Sequence, residues 1–441
     1  MDVNNKADPA FDAEKENKVQ GAEPSLEFPS EKASVVNVGG KPGDEFPEGG
    51  LRAWLVVAGA SGVLFCGFGY ANAFGVYQEY YQTHQLRNES PSTISWIGSL
   101  QIFFVFSGNL VGGPMFDRYG SRIIWPAIFG YLLSVMMTSL CNSFYQFLLA
   151  QGVLGGVSMG MSMAPAMAAT GQYFNKKRGA AMGLTIGGSS IGGVLFPIML
   201  SKMLNNSSLS FGWTVRIIGF IMLSLMLPAA AAIRPRLPPR KNSFFLPEAF
   251  KNPQYTSLLA AVFLMMMGMF MPFFYLPSFA VAKGMSTQLA GYLLSILNGA
   301  SFFGRVIPGV LGDKLGRLNA LCAAGLSTGI LILCMQRLDG NAGIIVFAGF
   351  YGFCSGAIIS GMAVCLAQIT PDAREIGTYM GMGMAVISIA ALIGPPIDGA
   401  LARKYGGFDE VAIFSGVLVL AGGFGVIVVK FFNPKGILSK A

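Results

Sequence analysis

The chain has 441 residues, of which 53% are hydrophobic and 12% are charged, and its mean hydropathy is +0.56. Soluble domains rarely reach these values, so the composition argues against a soluble domain and indicates a membrane protein with several spanning segments. The net charge of +8 is typical of basic cytoplasmic loops in such a protein, which we favour over a nucleic-acid partner.

In chain order, residues 1–48 are polar and show no apolar periodicity, which predicts a disordered cytoplasmic tail without a cleaved signal peptide. Twelve apolar runs of membrane-spanning length follow. We predict a helix in each: 52–78, 92–116, 122–140, 144–171, 177–203, 212–233, 254–281, 288–312, 318–336, 342–368, 374–402 and 409–432.

The longest gap between runs, residues 234–253, contains "RPRLPPRKNSFF", which neither continues a helix nor stays in lipid. It divides the chain into an N-terminal six-helix bundle over residues 49–233 and a C-terminal six-helix bundle over residues 254–432. Residues 433–441 form a short second tail. The predicted fold class is therefore an all-α membrane protein with twelve helices in two pseudo-symmetric bundles.

Lys and Arg cluster in the loops after even-numbered helices, although Arg403 and Lys404 are an exception. By the positive-inside rule both termini are cytoplasmic. Three N-x-S/T sequons fall after helices 1 and 5, on the outer side, and are candidate glycosylation sites: Asn88, Asn205 and Asn206. Chance occurrence of such triplets is the alternative.

The stretch "GGPMFDRYG" at 112–120 has a counterpart in "PGVLGDKLG" at 308–316, so that Asp313 follows Asp117 by 196 positions. Gly156 and Gly352 match at the same offset, as do Gly160 and Gly356, and Arg178 and Arg374. One offset across helices 2 to 5 and 8 to 11 indicates an internal duplication, typical of a transporter whose site lies between two halves.

Each copy of this stretch lies in a tight cytoplasmic turn, where an Asp can accept N–H groups from the next helix start and a neighbouring guanidinium. We predict an inner gate at this side, with a static turn that only sets topology as the alternative. The predicted gating residues are Asp117, Arg118, Arg178, Asp313, Lys314 and Arg374.

The loop stretches "GGPMFDRYGSR" and "GVLGDKLGR" resemble the signature of the major facilitator superfamily. "GGLRAWLVVAGA", "YFNKKRGAAMGLTIGGSSIGG" and "IGPPIDGAL" narrow the resemblance, over roughly residues 49–432, to the fungal branch of the monocarboxylate-porter family. The resemblance implies a twelve-helix secondary transporter of small organic solutes, often carboxylates and often proton-coupled.

The sequence departs from this family at residues that matter for coupling. The animal porters carry a Lys in helix 1, where this chain has Asn72, and an Asp four residues before the helix 8 Arg, where it has Ser301. Gln151 also stands where many superfamily members have Arg. Proton coupling by the family's Lys–Asp–Arg set therefore does not carry over to this chain.

Arg305 is the strongest candidate for substrate binding, because a guanidinium about 12 Å inside a membrane helix needs a cavity or a partner. Its planar donor fork suits a carboxylate, and snorkelling to the interface is the alternative. Further polar candidates are Tyr70, Asn72, Tyr275, Asn298 and Ser301. Asp398, an acidic residue inside an apolar run, is a weaker candidate for carrying a proton.

We therefore predict a secondary transporter, located in the plasma membrane, that moves a small organic acid or related metabolite by alternating access. The expected partners are this solute, protons if transport is coupled, and the lipid bilayer. An efflux pump for drugs or fungal secondary metabolites is the alternative, and a wide, mainly apolar cavity would favour it. A non-transporting nutrient sensor is the alternative from another class.

No cofactor and no metal are expected, because the six Cys lack a CxxC pair and His84 has no ligand cluster beside it. The sequence also lacks a nucleophile–base set and a phosphate-binding loop, so we expect no enzymatic activity.

Overall fold

The computed structural model describes residues 46–205, 208–238 and 244–432. The predicted tails lie outside these residues except for positions 46–48, and so do Asn206 and the middle of the linker at 239–243. The described part forms helices over its apolar runs, as the length of those runs predicts.

Eleven helical stretches among the described residues are long and apolar enough to cross a membrane. One of them, Thr93–Thr138, has 46 residues and would extend about 69 Å as a straight helix, twice the ~30 Å hydrocarbon core of a bilayer. It is divided by the single turn Gly120–Ile123, where Gly120 has a φ of +67°. Because L residues rarely adopt that angle, the glycine makes the reversal possible, and the stretch contains two crossings.

The structure thus has the predicted twelve membrane helices, and every boundary lies within five residues of its prediction. In chain order, helices 1 to 12 span Leu51–Thr83, 91–119, Ile124–Thr138, Phe144–Tyr173, Arg178–Asn205, Phe211–Ala232, Pro253–Ala282, Thr287–Leu315, Arg317–Cys334, Gly340–Ile369, Ile376–Tyr405 and Asp409–Phe431.

Helices 1, 2, 4 and 7 are irregular, and helix 2 is interrupted at Gly108. Helix 1 is interrupted at Gly67 and again at Asn72, and helix 7 is interrupted at Phe270, two residues before Pro272. Helix 4 contains a π-helical segment, Leu148–Gly155. Such interruptions expose backbone groups in the membrane and are typical of the helices that line a transport pathway.

Glycines set the close packing within each half, and they confirm the predicted duplication. A Cβ added at Gly156 in helix 4 would lie 2.7 Å from the carbonyl oxygen of Gln101 in helix 2. A Cβ added at Gly352 in helix 10 would overlap the carbonyl of Leu297 in helix 8. Both members of the second pair lie 196 positions after those of the first, so helices 2 and 4 pack as helices 8 and 10 do.

The contacts between the halves repeat with a different offset. Gly179 of helix 5 packs on the carbonyl of Gly309 in helix 8, and Gly377 of helix 11 packs on the carbonyl of Gly113 in helix 2. Gly309 follows Gly113 by 196 positions, but Gly377 follows Gly179 by 198. The segments "GAAMG" at 179–183 and "GTYMG" at 377–381 are therefore the matching starts of helices 5 and 11.

This two-residue shift corrects the predicted equivalence of Arg178 and Arg374. In the structural register Arg178 corresponds to Ile376, and Arg374 corresponds to Lys176. The sequence predicted that the two arginines are equivalent because the offset of 196 between helices 2 and 8 was applied past the loop in which the offset changes to 198.

Candidate functional site: a pathway and gate between the halves

The first part of the predicted gate joins helix 8 to helix 5. The carboxylate of Asp313 accepts the backbone N–H groups of Gly179 at 2.9 Å and Ala180 at 3.0 Å, in the first turn of helix 5. The guanidinium of Arg317 donates to the same carboxylate at 3.0 Å and also reaches the carbonyl of Asn175. A carboxylate at a helix N-terminus is stabilised by free N–H groups and by the helix dipole.

The second part joins helix 2 to helix 11. The carboxylate of Asp117 accepts the N–H groups of Gly377 at 3.2 Å and Thr378 at 2.6 Å, and the Thr378 hydroxyl at 2.7 Å. The prediction that each Asp accepts N–H groups at a helix start is confirmed. The predicted helix was wrong, because each carboxylate caps a helix of the opposite half rather than the next helix in the chain.

Arg178 also reaches across the seam. Its side chain is buried, and its guanidinium donates to the carbonyl of Ala367 in helix 10 at 2.8 Å and to the carbonyl of Phe174 at 3.0 Å. The predicted gate therefore combines two acidic caps with one buried cation that points from the first half into the second. We refer to this side of the molecule as the gate end.

The other three predicted gating residues lie outside these contacts. Arg374 is exposed and pairs with Asp372 at 3.1 Å, within its own loop. Lys314 is exposed, and so is Arg118, whose guanidinium lies 5.8 Å from the ring centroid of Tyr119. Each is next to a predicted gate element in the sequence but is exposed rather than buried between the halves.

A small pocket of about 20 Å³ lies between the halves near the middle of the helices. Ser189 supplies the single polar side chain among the ten that line it. Four of the other nine are methionines. All nine are apolar, namely Leu64, Phe68, Phe106, Met163, Met167, Ile186, Ile359, Met362 and Met384. The pocket holds little more than a water molecule in this conformation, so it is a closed space whose walls must separate to admit a solute.

Arg305 lies behind the polar corner of this pocket and is 1% exposed. Its guanidinium donates to the carbonyl of Ile186 at 2.9 Å and to the hydroxyl of Ser189, both in helix 5 of the opposite half. Its Nε has no partner among the described residues. The predicted requirement for a cavity or a partner is met by a partner in this conformation.

The structural counterpart of Arg305 in the first half is Asn109, since both pack on the first turns of the opposing helix. The amide of Asn109 donates to the carbonyl of Val105 in its own helix at 2.6 Å. The buried positive charge is therefore not repeated in the first half, which marks Arg305 as a feature of one half rather than of the shared fold.

Ser301 lies one turn and Asn298 two turns before Arg305, on the same buried face of helix 8. Asn298 Oδ1 and Ser301 Oγ have no partner among the described residues. Asn298 Oδ1 and Asn72 Nδ2 each lie 2.9 Å from the place where a Cβ of Gly193 would be. The structure thus brings the two predicted amides, one from each half, together over a glycine of helix 5.

Tyr70 lies away from this group. Its hydroxyl bonds to the hydroxyl of Tyr77, and its ring packs at 5.5 Å from the ring of Phe196. Sequence analysis missed the aromatic network that holds it there, in which Tyr81 donates to Gln151 at 2.9 Å. The available signal in the sequence was spacing: Tyr77 follows Tyr70 by about two helical turns, and Tyr81 follows Tyr77 by about one. Such spacing indicates that the three side chains share one face.

A larger cavity of about 780 Å³ lies between the halves at the end opposite the gate. It is lined from helices 1, 2, 7 and 11, and the predicted candidate Tyr275 is among its residues. The Tyr275 hydroxyl donates to the carbonyl of Pro395 at 2.9 Å. The exposed Arg403 and Lys404 also line the cavity and make its mouth positive.

Asp398 is buried in helix 11, one residue before the cavity-lining Gly399. Its Oδ1 accepts the hydroxyl of Ser415 in helix 12 at 2.7 Å, and its Oδ2 has no partner among the described residues. The Asp398 carboxyl group is therefore held by a neutral hydroxyl of helix 12 at the edge of the large cavity.

The candidate modification sites lie at the same end as the large cavity. Asn88 is exposed in the loop after helix 1, and Asn205 is the last residue of helix 5. Glycosylation of these residues and of Asn206 stays a prediction. Among the described residues no group of His, Cys, Asp or Glu is arranged to hold a metal ion, and the six thiols are unpaired.

Comparison with known proteins gives consistent matches over most of the chain. The family profile described as Major Facilitator Superfamily matches residues 59–336 and 306–439. The chain is 55% identical to the aspyridones efflux protein apdF of Emericella nidulans, over 92% of this chain and 84% of that protein. It is 39% identical to the agnestins efflux protein of Paecilomyces divaricatus, over 95% and 96% of the two chains.

Two solved structures share the arrangement of helices. The human organic anion transporter MFSD10 matches with a TM-score of 0.70 at 15% identity, over 86% of this chain and 100% of that one. The transporter FucP in its outward conformation matches with a TM-score of 0.65 at 16% identity, over 83% and 98%. At these identities the two matches show the fold alone.

Proposed function

The chain belongs to the major facilitator superfamily, and we propose that it exports a small, mainly apolar secondary metabolite by alternating access between its two halves. The observation that carries this proposal is the lining of the central pocket, nine of whose ten side chains are apolar. Methionine side chains are flexible and polarizable, so four of them suit an irregular apolar solute better than a small hydrophilic acid. The efflux function in the names of two relatives supports the same choice.

The polar corner of the pocket suggests which polar group the mainly apolar solute carries. Arg305 bonds to Ser189 and to the Ile186 carbonyl, which are both neutral acceptors. An acidic or strongly accepting group on the solute would form a stronger, charge-assisted bond and displace them. We therefore propose a mainly apolar metabolite with one such group, bound through Arg305 with Asn72, Asn298 and Ser301 nearby.

A small organic acid remains the second candidate. Arg305 and the positive mouth formed by Arg403 and Lys404 favour an anion. The motifs that resemble the fungal branch of the monocarboxylate-porter family support it as well. The mainly apolar pocket and the absence of the family's Lys and Asp place it behind the efflux function.

We further propose that the gate end faces the cytoplasm, with both termini on that side, and that the protein lies in the plasma membrane. The Lys and Arg bias of the loops supports the orientation. The moving bodies are then residues 49–233 and 254–432, joined by the linker 234–253. In the conformation described here the inner gate is closed, and Asp117, Asp313 and Arg178 hold it.

The decisive experiment compares two solutes in inside-out vesicles from a yeast strain expressing the chain. Aspyridones serve as the mainly apolar probe, because a relative is named for them, and lactate serves as the small acid. We expect time-dependent accumulation of the aspyridones that vesicles without the protein do not show, and no accumulation of lactate. Accumulation of lactate alone would reject the efflux function in favour of the second candidate.

A further inference from the structure

The segment that precedes helix 1, residues 46–50, contacts the turn between helices 4 and 5 through Glu48. The carboxylate of Glu48 accepts the backbone N–H groups of Asn175 at 2.8 Å, Lys176 at 2.6 Å and Lys177 at 3.0 Å. Its own N–H donates to the carbonyl of Tyr173 at 3.2 Å. A single carboxylate thus collects three successive donors of a turn that would otherwise depend on water.

This contact is held in a backbone conformation that L residues disfavour. Glu48 has a φ of +53° and is the one non-glycine residue with a positive φ in the part of the chain that the structure describes. A residue in this region persists only where surrounding contacts determine it, and such residues concentrate at functional positions. The four hydrogen bonds of Glu48 are those contacts.

The same segment also touches the cation of the gate. The ring of Phe46 lies 5.6 Å from the guanidinium of Arg178 and 5.1 Å from that of Arg236, so it packs on both cations. Arg178 is the residue whose guanidinium crosses to the carbonyl of Ala367. Phe46 and Glu48 therefore contact both the side chain and the backbone that the first half presents to the second.

In the second half, the corresponding turn before helix 11 is capped by an acidic residue of that turn. By the 198-residue offset of helices 5 and 11, Lys176 corresponds to Arg374, whose N–H is capped at 2.8 Å by the side chain of Asp372 in its own turn. The position that corresponds to Asp372 in the first half is Phe174. The turn before helix 5 has no acid of its own there, and Glu48 supplies one from the start of helix 1.

Charge supports this arrangement. Partial burial raises the pKa of the Glu48 carboxyl, but the N–H groups of residues 175–177 and the charge of Lys176 outweigh burial and hold the pKa below its usual value. The contact is then fully present above the usual glutamate pKa of about 4.3 and is lost only as pH falls through the lower folded value. Glu48 is an anion throughout the physiological range.

We propose that Glu48 is a positioning residue for the inner gate. It fixes the turn before helix 5 in the shape that offers the Asn175 carbonyl to Arg317 and the Arg178 guanidinium to Ala367, and so it stabilises the closed gate. This inference rests on the gating part of the proposed function and is independent of which solute is moved.

The test uses a cysteine at position 360 as a reporter of gate closure. Ser360 is 1% exposed and lines a closed crevice of about 10 Å³ together with Gly179 and Gly309, which belong to opposite halves. Ser360→Cys is nearly isosteric, and its thiol is reachable only when these halves separate. The alkylation rate by a maleimide is measured on purified protein in lipid nanodiscs, with the six native cysteines replaced by alanine.

We expect Glu48→Gln to raise the alkylation rate about two- to fivefold, the range that follows from losing one charge at a helix N-terminus. Glu48→Gly should do the same, because it removes the carboxylate while tolerating the positive φ. Glu79→Gln, the same change at an exposed position in helix 1, is the matched control and should have no effect. Asn175→Asp in the Glu48→Gln background returns a carboxylate to the turn and should restore the slow rate.

Three outcomes separate the inferences. If Glu48→Gln and Glu79→Gln behave alike, Glu48 does not position the gate. If the rate rises and Asn175→Asp does not restore it, the segment stabilises the protein generally and the positioning role is wrong. Asp313→Asn is the reference variant for the gate itself. If neither Asp313→Asn nor Glu48→Gln raises the alkylation rate at position 360, the gating part of the proposed function has failed instead.

Discussion

Asp117 and Thr378 are 261 positions apart in the chain, yet one carboxylate oxygen of Asp117 accepts both the N–H of Thr378 at 2.6 Å and its hydroxyl at 2.7 Å. Asp313 makes the corresponding backbone contact with Ala180 at 3.0 Å. Each half thus supplies the cap for a helix of the other. Opening at the gate end must break both contacts, because each one crosses the seam.

The first prediction concerns these two carboxylates. Asp117→Asn and Asp313→Asn each keep one acceptor oxygen but lose the charge, and a hydrogen bond to a charged group contributes about 1.5–3 kcal/mol. We expect each variant to favour the open gate by about tenfold and to slow turnover, with substrate affinity within a few-fold of the parent. Turnover and affinity are measured in vesicles, with Asp409→Asn at an exposed helix start as the control. A collapse of affinity with normal turnover would contradict a gating role.

The second prediction tests the close approach of helices 2 and 11. A Cβ at Gly113 would overlap the carbonyl of Gly377, so Gly113→Ala should prevent closure at the gate end without disturbing packing within either half. We expect transport to fall to background while the variant reaches the membrane. Gly349→Ala is the matched control, since nothing lies within 4 Å of its added Cβ. Equal activity of the two variants would show that the halves approach less closely during transport than in this conformation.

The third prediction concerns Arg305 and its acceptor. If Ser189 occupies the guanidinium until the solute displaces it, Ser189→Ala should lower the KM for export by about two- to tenfold, the equivalent of one hydrogen bond of about 0.5–1.5 kcal/mol. Ser190→Ala, at the buried neighbour whose hydroxyl has no partner among the described residues, is the control. Arg305→Ala should be near background, and Arg305→Lys impaired but measurable. A higher KM in Ser189→Ala would mean that Ser189 binds the solute itself.

The fourth prediction concerns the energy source. Asp398 has one oxygen bonded to Ser415 and one without a partner among the described residues, and it lies next to the cavity-lining Gly399. We expect Asp398→Asn to keep exchange of solute across the membrane but to lose accumulation driven by a pH gradient. Ser415→Ala should retain it. Gradient-driven accumulation that survives in Asp398→Asn would assign the coupling proton to another group.

The fifth prediction concerns topology. The basic loops place the N-terminus in the cytoplasm, so a protease added to sealed cells should leave an N-terminal tag intact. Any glycan should be confined to Asn88, Asn205 or Asn206, and removing these three sequons should abolish a mobility shift on glycosidase treatment. Cleavage of the tag from outside would reverse the orientation of both the gate and the large cavity.

The helices and their duplication were predictable because both follow from local information. A run of apolar residues defines a membrane helix, and a repeated turn motif such as that around Asp117 and Asp313 defines the repeat. The partner of each Asp was not predictable, since Gly377 is 260 positions from Asp117. The acceptors of Arg305 are 119 and 116 positions away for the same reason.

The orientation of individual side chains was the weakest part of the sequence analysis. Tyr70 and Asn72 are two positions apart, so they point to different sides of helix 1. Asn72 faces the seam between the halves, whereas Tyr70 faces Tyr77 within the first half. The interruption of helix 1 at Asn72 decides this outcome, and polarity alone contains no information about it.

The exchange of caps between the halves has the form of a dimer interface. In a two-fold dimer, residue i of one chain contacts residue j of the other and j contacts i in return. Two copies of a single six-helix chain would therefore make both contacts with one Asp and one glycine-rich helix start. The arrangement around Asp117 and Asp313 is this self-complementary contact preserved within one polypeptide, and the buried cation of Arg305 is one place where the two copies have ceased to be interchangeable.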